Sequence, residues 1–569
     1  MLITHLVDLL NLLLYVFASL FILVGWGSLI KRLIGAPINN LQISDGWIGL
    51  FGAVLFIETC HLWIPIDWKV SLVFAGIGLF ELFTALKSNP IAHFWHSNNR
   101  LLINLFFTTV GLFFLFTWGS LAMTTPSIYD GGLYHFQAIR WINEFPIILG
   151  LGNLSGRLAF NQSYFGYLAL LNLSPLLNKG YGAGSLLLMV LASATLIEAQ
   201  FSKLRGGWWL SLWIFIAFIE ISRYLSSPSP DVAVVIVQCA AFIFLIKTYA
   251  TEVHKPDVMA YNVLMVFLLS CLLVTLKLSA VIFASMAILL LIPVVKMTYV
   301  QFKKLYICAF GIACYFIALH LFRGILLSGL PLYPSSLGAI WQLDWSVSFA
   351  QAKDEADWIY SWARDASKPP SEVLGTWSWL SAWTDHFFKE HWRYIYGALV
   401  LISIDILTLV FSKNRPDKKL FSLFLPFFAA IVFWFFTAPD WRFLGAIPQL
   451  LIALSGFLFI RNCIPESIFC ITKKVPSFLT SSFTTLVILL LMVKTADFRT
   501  LPLSGWHVIP TARVSLRETP SGLKVFIPID SDQCWDSPLP CAPRMNEHLR
   551  LRSYGIDEAG IKSGFSIQK

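Results

Sequence analysis

The stretch DVAVVIVQCAAFIFLIK, residues 231–247, separates its two ionisable ends, Asp231 and Lys247, by fifteen residues that carry no charge. A helix crossing a hydrocarbon core about 30 Å thick needs roughly 20 mostly apolar residues. Residues 231–248 meet that requirement, and the same ruler applied outward finds comparable runs along the whole chain. They lie at 8–30, 46–64, 69–87, 101–122, 183–201, 207–224, 231–248, 258–276, 277–295, 305–322, 394–412, 420–437, 443–460 and 477–495. Composition agrees: 57% of the 569 residues are hydrophobic and only 13% are charged, about half the charged share of an ordinary soluble domain. A soluble globular protein, a disordered chain and a small disulfide scaffold are excluded. The expected fold is an all-α polytopic membrane protein of about 13–14 transmembrane helices.

Residues 160–178 form a further apolar piece interrupted by Asn172, Ser174 and Pro175. That piece is expected to dip into the membrane or lie along it. The opening run to Gly35 places Lys31 and Arg32 after its apolar core and has no small-residue cleavage site. It reads as a retained helix, not a signal peptide.

Loop charges then orient the bundle. With the N-terminus outside, the alternating inward loops hold eighteen basic residues, from Lys31 and Arg32 through Lys303 and Lys304 to Lys473 and Lys474. The short outward connections hold three, Lys69, Arg223 and Arg442. The net charge of +9 is thus chiefly a topology signal, and no nucleic-acid partner is implied. Three regions are divided accordingly: N-terminal helices in 1–100, a core in 101–495 with outward loops 123–182 and 324–393, and an outward tail in 496–569. Cys534 and Cys541 close a short proline-stiffened loop in that tail, CWDSPLPC. The pair reads as a disulfide of an oxidising compartment. A metal site would need two more ligands, and the tail offers only His507 and His548 at no regular spacing.

No P-loop, dinucleotide fingerprint, HExxH helix or internal repeat occurs. The short basic inward loops offer nothing to bind ATP. Interest falls on ionisable groups near the outer face, because charge within a membrane bundle is expensive and is usually functional. Residues 124–144 crowd Tyr129, Asp130, Tyr134, His135, Arg140 and Glu144 beside one membrane mouth. Helical spacing puts Leu133 and Tyr134 at i+3 and i+4 from Asp130, and simple N-capping by Asp130 is the alternative. Residues 150–162, GLGNLSGRLAFNQ, offer Asn153, Ser155, Arg157 and Asn161 to a polyol or phosphate, or form a plain structured loop. Asp231 opens a span, where capping is again the alternative. Lys277 and Ser279 interrupt an apolar stretch, Arg323 ends a span before the turn holding Tyr333, and Asp440 and Arg442 share a connection of a few residues. Carboxylates, one histidine and several cations together suit transfer of a group from an anionic lipid-linked donor. The cations hold the departing phosphate, and a carboxylate takes a proton from the incoming hydroxyl.

The motifs YDGGLYH (129–135), GLGNLSGR (150–157), LSGLPLYPS (327–335), PDWRFLG (439–445) and CWDSPLPC (534–541) resemble a family of large bacterial membrane proteins found in cyanobacteria and spirochaetes. That likeness spans about residues 100–552. In broader outline the chain resembles the GT-C class of integral-membrane glycosyltransferases. That class transfers sugars from polyprenyl-phosphate donors, using an acidic residue of the first outward loop as general base. The resemblance implies Asp130 as base, with His135 positioning or sharing its proton. It also implies Arg442, Arg323 and Lys277 as grips for the lipid phosphate. Tyr129, Tyr134, Arg140, Asn153, Arg157, Asp231, Tyr333 and Asp440 complete the expected substrate-binding set. The implied partners are the bilayer, a polyprenyl-phosphate-sugar donor, and a glycan, lipid or protein acceptor, at a bacterial inner membrane with the site facing the periplasm. Four spans precede the loop, and it holds no Asp-x-Asp pair. One carboxylate is a poor hard-cation site, so neither metal nor other cofactor is expected. Two other readings stand beside this one. One is a transporter or flippase of a lipid-linked glycan; the other is an assembly factor, in which Asp130, Arg323 and Arg442 would not converge.

Overall fold

The computed structural model describes residues 2–37, 40–88, 101–199, 201, 204–250, 255–339, 342–411, 418–463, 506, 508–553 and 558–567. The expected span 477–495 and His507 lie outside them. Four helices come first: α1 (Leu2–Ile34), α2 (Asp45–Cys60), α3 (Trp68–Ser88) and α4 (Leu101–Ala122). The first polar region carries the short helices α5 (Phe136–Glu144), α6 (Leu151–Leu154) and α7 (Ser163–Asn172). Then follow α8 (Gly180–Glu198), α9 (Gly207–Ser222), α10 (Pro230–Ala250), α11 (Pro256–Leu276) and α12 (Val281–Ser328). The second polar region contributes α13 (Phe349–Trp362) and α14 (Pro370–Val373), and the bundle closes with α15 (Leu380–Phe411), α16 (Lys418–Phe421), α17 (Leu425–Thr437) and α18 (Ile447–Cys463). Seven of the described helices are long and apolar enough to cross a membrane, those of α1, α3, α8, α10, α11, α12 and α17. The protein is an all-α polytopic membrane protein.

The expected spans 277–295 and 305–322 fall, apart from Lys277 and the turn Leu278–Ala280, within one helix, α12. A straight helix of this length would extend about 72 Å, more than twice the hydrocarbon core, and the run does not stay straight. Phe302 leaves the helical region (φ −118°, ψ 29°). Across the bend the Thr298 and Tyr306 hydroxyls lie 2.6 Å apart, and the rings of Tyr299 and Tyr306 stack. Contacts along α12 give the direction of each half. Lys277, just before it, pairs with Asp231 at the start of α10. The Leu290 carbonyl accepts from Tyr249 near the end of α10. Lys304 passes beside Gly35, Phe316 packs on Phe51, and Arg323 reaches His61 just past α2. The helix therefore descends from the Asp231 end of the bundle, turns at Phe302 and returns.

Residues 160–178 do not lie along the outside. Within them α7 has ten residues, about 15 Å, too short to cross. Ser163 through Leu171 are all buried, and the Tyr164 hydroxyl pairs with Ser185 of α8 at 2.8 Å. At the opposite end of the bundle, Lys31 is buried against Asp45 at 2.7 Å, and Tyr261 donates to the same carboxylate at 2.8 Å. The basic residues that end α1 are thus partly spent on the fold itself.

The C-terminal tail forms a small cap. Strands β1 (Val514–Glu518) and β2 (Lys524–Pro528) pair antiparallel, as do β3 (Leu549–Leu551) and β4 (Phe565–Ile567). Cys534 and Cys541 form the expected disulfide.

Backbone approaches through glycine hold the N-terminal helices together. A Cβ on Gly49 of α2 would stand 1.8 Å from the Leu23 carbonyl oxygen of α1, and one on Gly25 would stand 1.9 Å from the Gly78 oxygen of α3. Small residues at such crossings let helices pack where lipid supplies no hydrophobic drive. Gly49→Leu is expected to force α1 and α2 apart and to cost about 2 kcal/mol or more. An unfolding temperature in detergent equal to that of the wild type would contradict this.

Candidate functional site

Asp130 is not the cap that its position suggests. It precedes a single π-helical turn, Gly131–His135, and its side chain makes no capping hydrogen bond. The turn shifts the helical phase, a feature that recurs at functional sites, and the carboxylate faces two arginines instead. Arg157 Nη1 donates to Oδ1 at 3.2 Å, and Arg442 Nη1 donates to Oδ2 at 3.2 Å. Arg157 stands in the loop after α6, on the turn Gly156–Ala159, and Arg442 in the connection from α17 to α18.

Counter-charges surround the clamp. Arg157 Nε lies 3.2 Å from Oε1 of Glu355 on α13. Asp440 does cap, accepting from the Arg442 backbone N–H at 3.0 Å, and its carboxylate is 3.7 Å from Arg442 Nε. Lys277 and Arg442 flank one aromatic ring, with cations 4.3 Å and 4.9 Å from the centroid of Phe443. Trp362 presents a second face to Arg442 at 4.7 Å. Lys277 pairs with Asp231, whose own backbone N–H is capped by Ser229. Burial pushes the Asp130 carboxyl up, but Arg442, His135, Arg157 and Lys277 together hold it below its ordinary value. Burial lifts Glu355 against the pull of Arg157, and lifts Asp440 against that of Arg442. Of these three carboxylates only Asp130 is held below its ordinary value.

The remaining expected residues divide. Tyr134 is buried behind the clamp, edge-on to Phe160. Tyr333 packs on the same ring, with its hydroxyl beside Gly156 and Glu355. His135, the expected partner of Asp130, is 2% exposed and packs on Tyr134 and Phe165. Its Nδ1 has no hydrogen-bond partner among the described residues, and its charge interacts with that of Asp130. Arg323 does not join the cluster: it is buried against His61 and the Glu58 carbonyl. The Asn153 amide NH₂ donates to the carbonyls of Trp345 and Phe565, while its oxygen has no partner among the described residues. Tyr129 and Arg140 hold the cap, through Asp532 and through the carbonyls of Asp536 and Ser537. Long polar side chains between helices are drawn to whichever unpaired carbonyls the tertiary fold brings near, and local sequence does not reveal these.

Glu355, Trp362 and Phe443 were not anticipated. Glu355 sits among Asp354 and Asp357, so its sequence neighbourhood does not separate it from solvated acids. The aromatic rings beside Arg442 left no signal in a chain with 15% aromatics.

The cap bears directly on this site. Trp535 lies on the π-turn, its N–H donating to the Gly132 carbonyl at 2.8 Å. Gln137 Nε2 donates to the carbonyls of Trp535 and Ser537, each at 2.9 Å. The disulfide loop thus seats on the segment that carries Asp130.

A family model described as a domain of unknown function, DUF8201, matches residues 9–448. The chain belongs to this family. No curated protein and no solved structure matches it. The DUF8201 match includes Asp130, Arg157, Asp231, Lys277, Glu355, Asp440 and Arg442, whereas the disulfide loop that seats on the π-turn lies beyond it. Among the described residues no group of three or more His, Cys, Asp or Glu is placed to hold a metal ion.

Two outcomes follow for this DUF8201 chain. A Cβ on Gly132 would stand 2.4 Å from the Trp535 ring, so Gly132→Val is expected to unseat the disulfide loop. Limited proteolysis should then release the cap while the bundle stays intact; an unchanged digestion pattern would count against that seating. The second outcome concerns acid. Burial pushes His135 down from 6.5 to about 4, against the pull of Asp130 and Asp231. Between those values the unfolded imidazole binds a proton that the folded one does not, so stability falls as pH drops from 6.5 towards 4. Asp130, held low, adds to the loss only at still lower pH. His135→Leu is expected to flatten the profile of unfolding temperature over this window, and an unaltered slope would refute the assignment.

Proposed function

We propose that the chain is a metal-independent, inverting membrane glycosyltransferase resembling the GT-C class. It would transfer a sugar from a polyprenyl-phosphate donor to an acceptor hydroxyl of a glycan, lipid or protein. The observation that carries the reading is the ionised Asp130 carboxylate, turned away from its own helix and shared by two guanidinium groups at a membrane mouth. The acceptor oxygen attacks the anomeric carbon, and the bond from that carbon to the phosphate oxygen breaks with its electron pair on the phosphate. As the new bond forms the attacking hydroxyl becomes strongly acidic, so a carboxylate held low still accepts its proton late in the step. Arg157, Arg442 and Lys277 stabilise the leaving phosphate through donors not spent on Asp130. Tyr134, Tyr333 and Glu355 border the place where the reacting groups meet. His135 contributes packing behind Asp130.

The expected location is a bacterial inner membrane with this mouth facing the periplasm. The inward excess of basic residues and the Cys534–Cys541 disulfide beside the site support that placement. A transporter or flippase of a lipid-linked glycan is the second reading. In its favour, Asp405 within α15 is 1% exposed, so an ionisable group is buried among the helices.

The test is transfer of labelled sugar by the purified protein in liposomes across a panel of polyprenyl-phosphate donors. Asp130→Asn is expected to lower kcat by about 10²-fold or more, and Arg442→Lys to raise KM more than it lowers kcat. Full turnover by a folded Asp130→Asn protein would remove the proposed base. Movement of lipid-linked glycan across the bilayer with no covalent transfer would instead support the flippase.

A further inference from the structure

Helix α13 lies across the Asp130 clamp. Glu355 and Trp362 share one of its faces at a spacing of i, i+7, about 10.5 Å apart along the axis. Glu355 Oε1 stands 3.2 Å from Arg157 Nε, and the Trp362 ring faces Arg442 at 4.7 Å. These are the two arginines that hold Asp130.

Little else fastens the helix. Of its fourteen residues only Ala352 and Ser361 are buried. Ala352 packs with Ala159, Leu330, Tyr333 and Val347 in a small apolar group apart from the main core. Gln351 donates to the Gly152 carbonyl at 3.2 Å, and Arg364, just past the helix, donates to the Phe436 carbonyl at 2.9 Å. Among the described residues the pair with Arg157 is the one ion pair that joins α13 to another element. The chain before it is fixed, with the Val347 N–H on the Ser328 carbonyl at 2.9 Å and Asp344 on Arg552. Beyond α14, Gly375 takes φ +80° with open space where a Cβ would stand. A helix with so few buried apolar contacts opens at low cost.

Glu355 also occupies the guanidinium edge that a phosphate would use. Arg157 gives Nη1 to Asp130 and Nε to Glu355, and carboxylate and phosphate compete for the same donors. The Tyr333 hydroxyl, beside Gly156 and Glu355, is buried and has no hydrogen-bond partner among the described residues, and neither has Arg442 Nε. Donors for a tetrahedral anion are thus present where the carboxylate of α13 now sits, and its departure makes the room.

We propose that α13 is a lid latched by Glu355, and that a lipid phosphate displaces this carboxylate from Arg157 and releases the helix, a role that rests on the reading of Arg157 as a phosphate grip. The sign is diagnostic. Removing the Glu355 carboxylate strengthens phosphate binding, whereas removing a ligand group or a structural brace would weaken it.

Purified full-length protein in nanodiscs, followed by hydrogen exchange, tests this with undecaprenyl phosphate as probe and undecaprenol as its uncharged control. Exchange across 349–362 is expected to quicken at least threefold with the phosphate and to stay unchanged with the alcohol. Glu355→Gln is expected to show the faster exchange without lipid and to bind undecaprenyl phosphate about fivefold more tightly. Glu355→Asp, one methylene shorter, is expected to fall between. The wild-type comparison decides the matter if Glu355→Gln does not fold. Exchange unchanged or slowed by undecaprenyl phosphate, an equal response to undecaprenol, or binding by folded Glu355→Gln no tighter than wild type would overturn the proposal. Release of α13 by undecaprenyl phosphate without sugar transfer from any donor would uphold the lid and remove the transferase. Transfer with α13 unmoved would do the reverse.

Discussion

The carboxylate of Asp130 joins parts of the chain that are far apart in sequence. Arg157 follows it by 27 positions and Arg442 by 312. Both reach it only because the loop after α6 and the connection from α17 to α18 arrive at the same end of the bundle. In such a place charge has to be matched locally, since the surroundings screen poorly. Glu355, Asp440 and the Asp231–Lys277 pair supply that matching. The apolar helices set the level of the site, and the charge network sets its register.

The cap extends this logic outside the bundle. Trp535 approaches Gly132 so closely that only glycine fits, and Arg140 holds the carbonyls of Asp536 and Ser537. A tail with little core of its own is thereby ordered on the segment that presents Asp130. The two ends of the molecule differ in kind. At one end Lys31 and Asp45 are buried as a pair inside the packing, whereas at the other the charged groups remain part-buried at a mouth.

Much of the site was legible because charge is scarce in this chain. Asp130, Arg157, Asp231, Lys277, Asp440 and Arg442 stood out as ionisable residues at the edges of apolar runs, and six such residues do meet in space. The same reasoning misplaced Arg323, which lies at the edge of a run as the others do but faces α2. His135, which the resemblance pairs with Asp130, follows it on the π-turn and packs its ring on Tyr134 and Phe165. Glu355 escaped notice because its neighbours Asp354 and Asp357 are also acidic. Asn153 and Arg140 donate to carbonyls of remote segments, a use that local sequence does not announce.

Hydrophobic run length and loop charge are properties of local segments, and the solvent acts on each segment separately. The membrane character, the helical class and the short list of conspicuous charges therefore follow from the chain read in one dimension. Which charge meets which is a property of pairs distant in sequence. It depends on the bend at Phe302, the burial of α7, the π-turn after Asp130 and the seating of Trp535. None of these has a local energetic signature strong enough to read without its neighbours. The Asp130 clamp and the separate placement of Arg323 against α2 were decided only by packing in three dimensions, where the cost of burying charge selects one arrangement among those the segments allow.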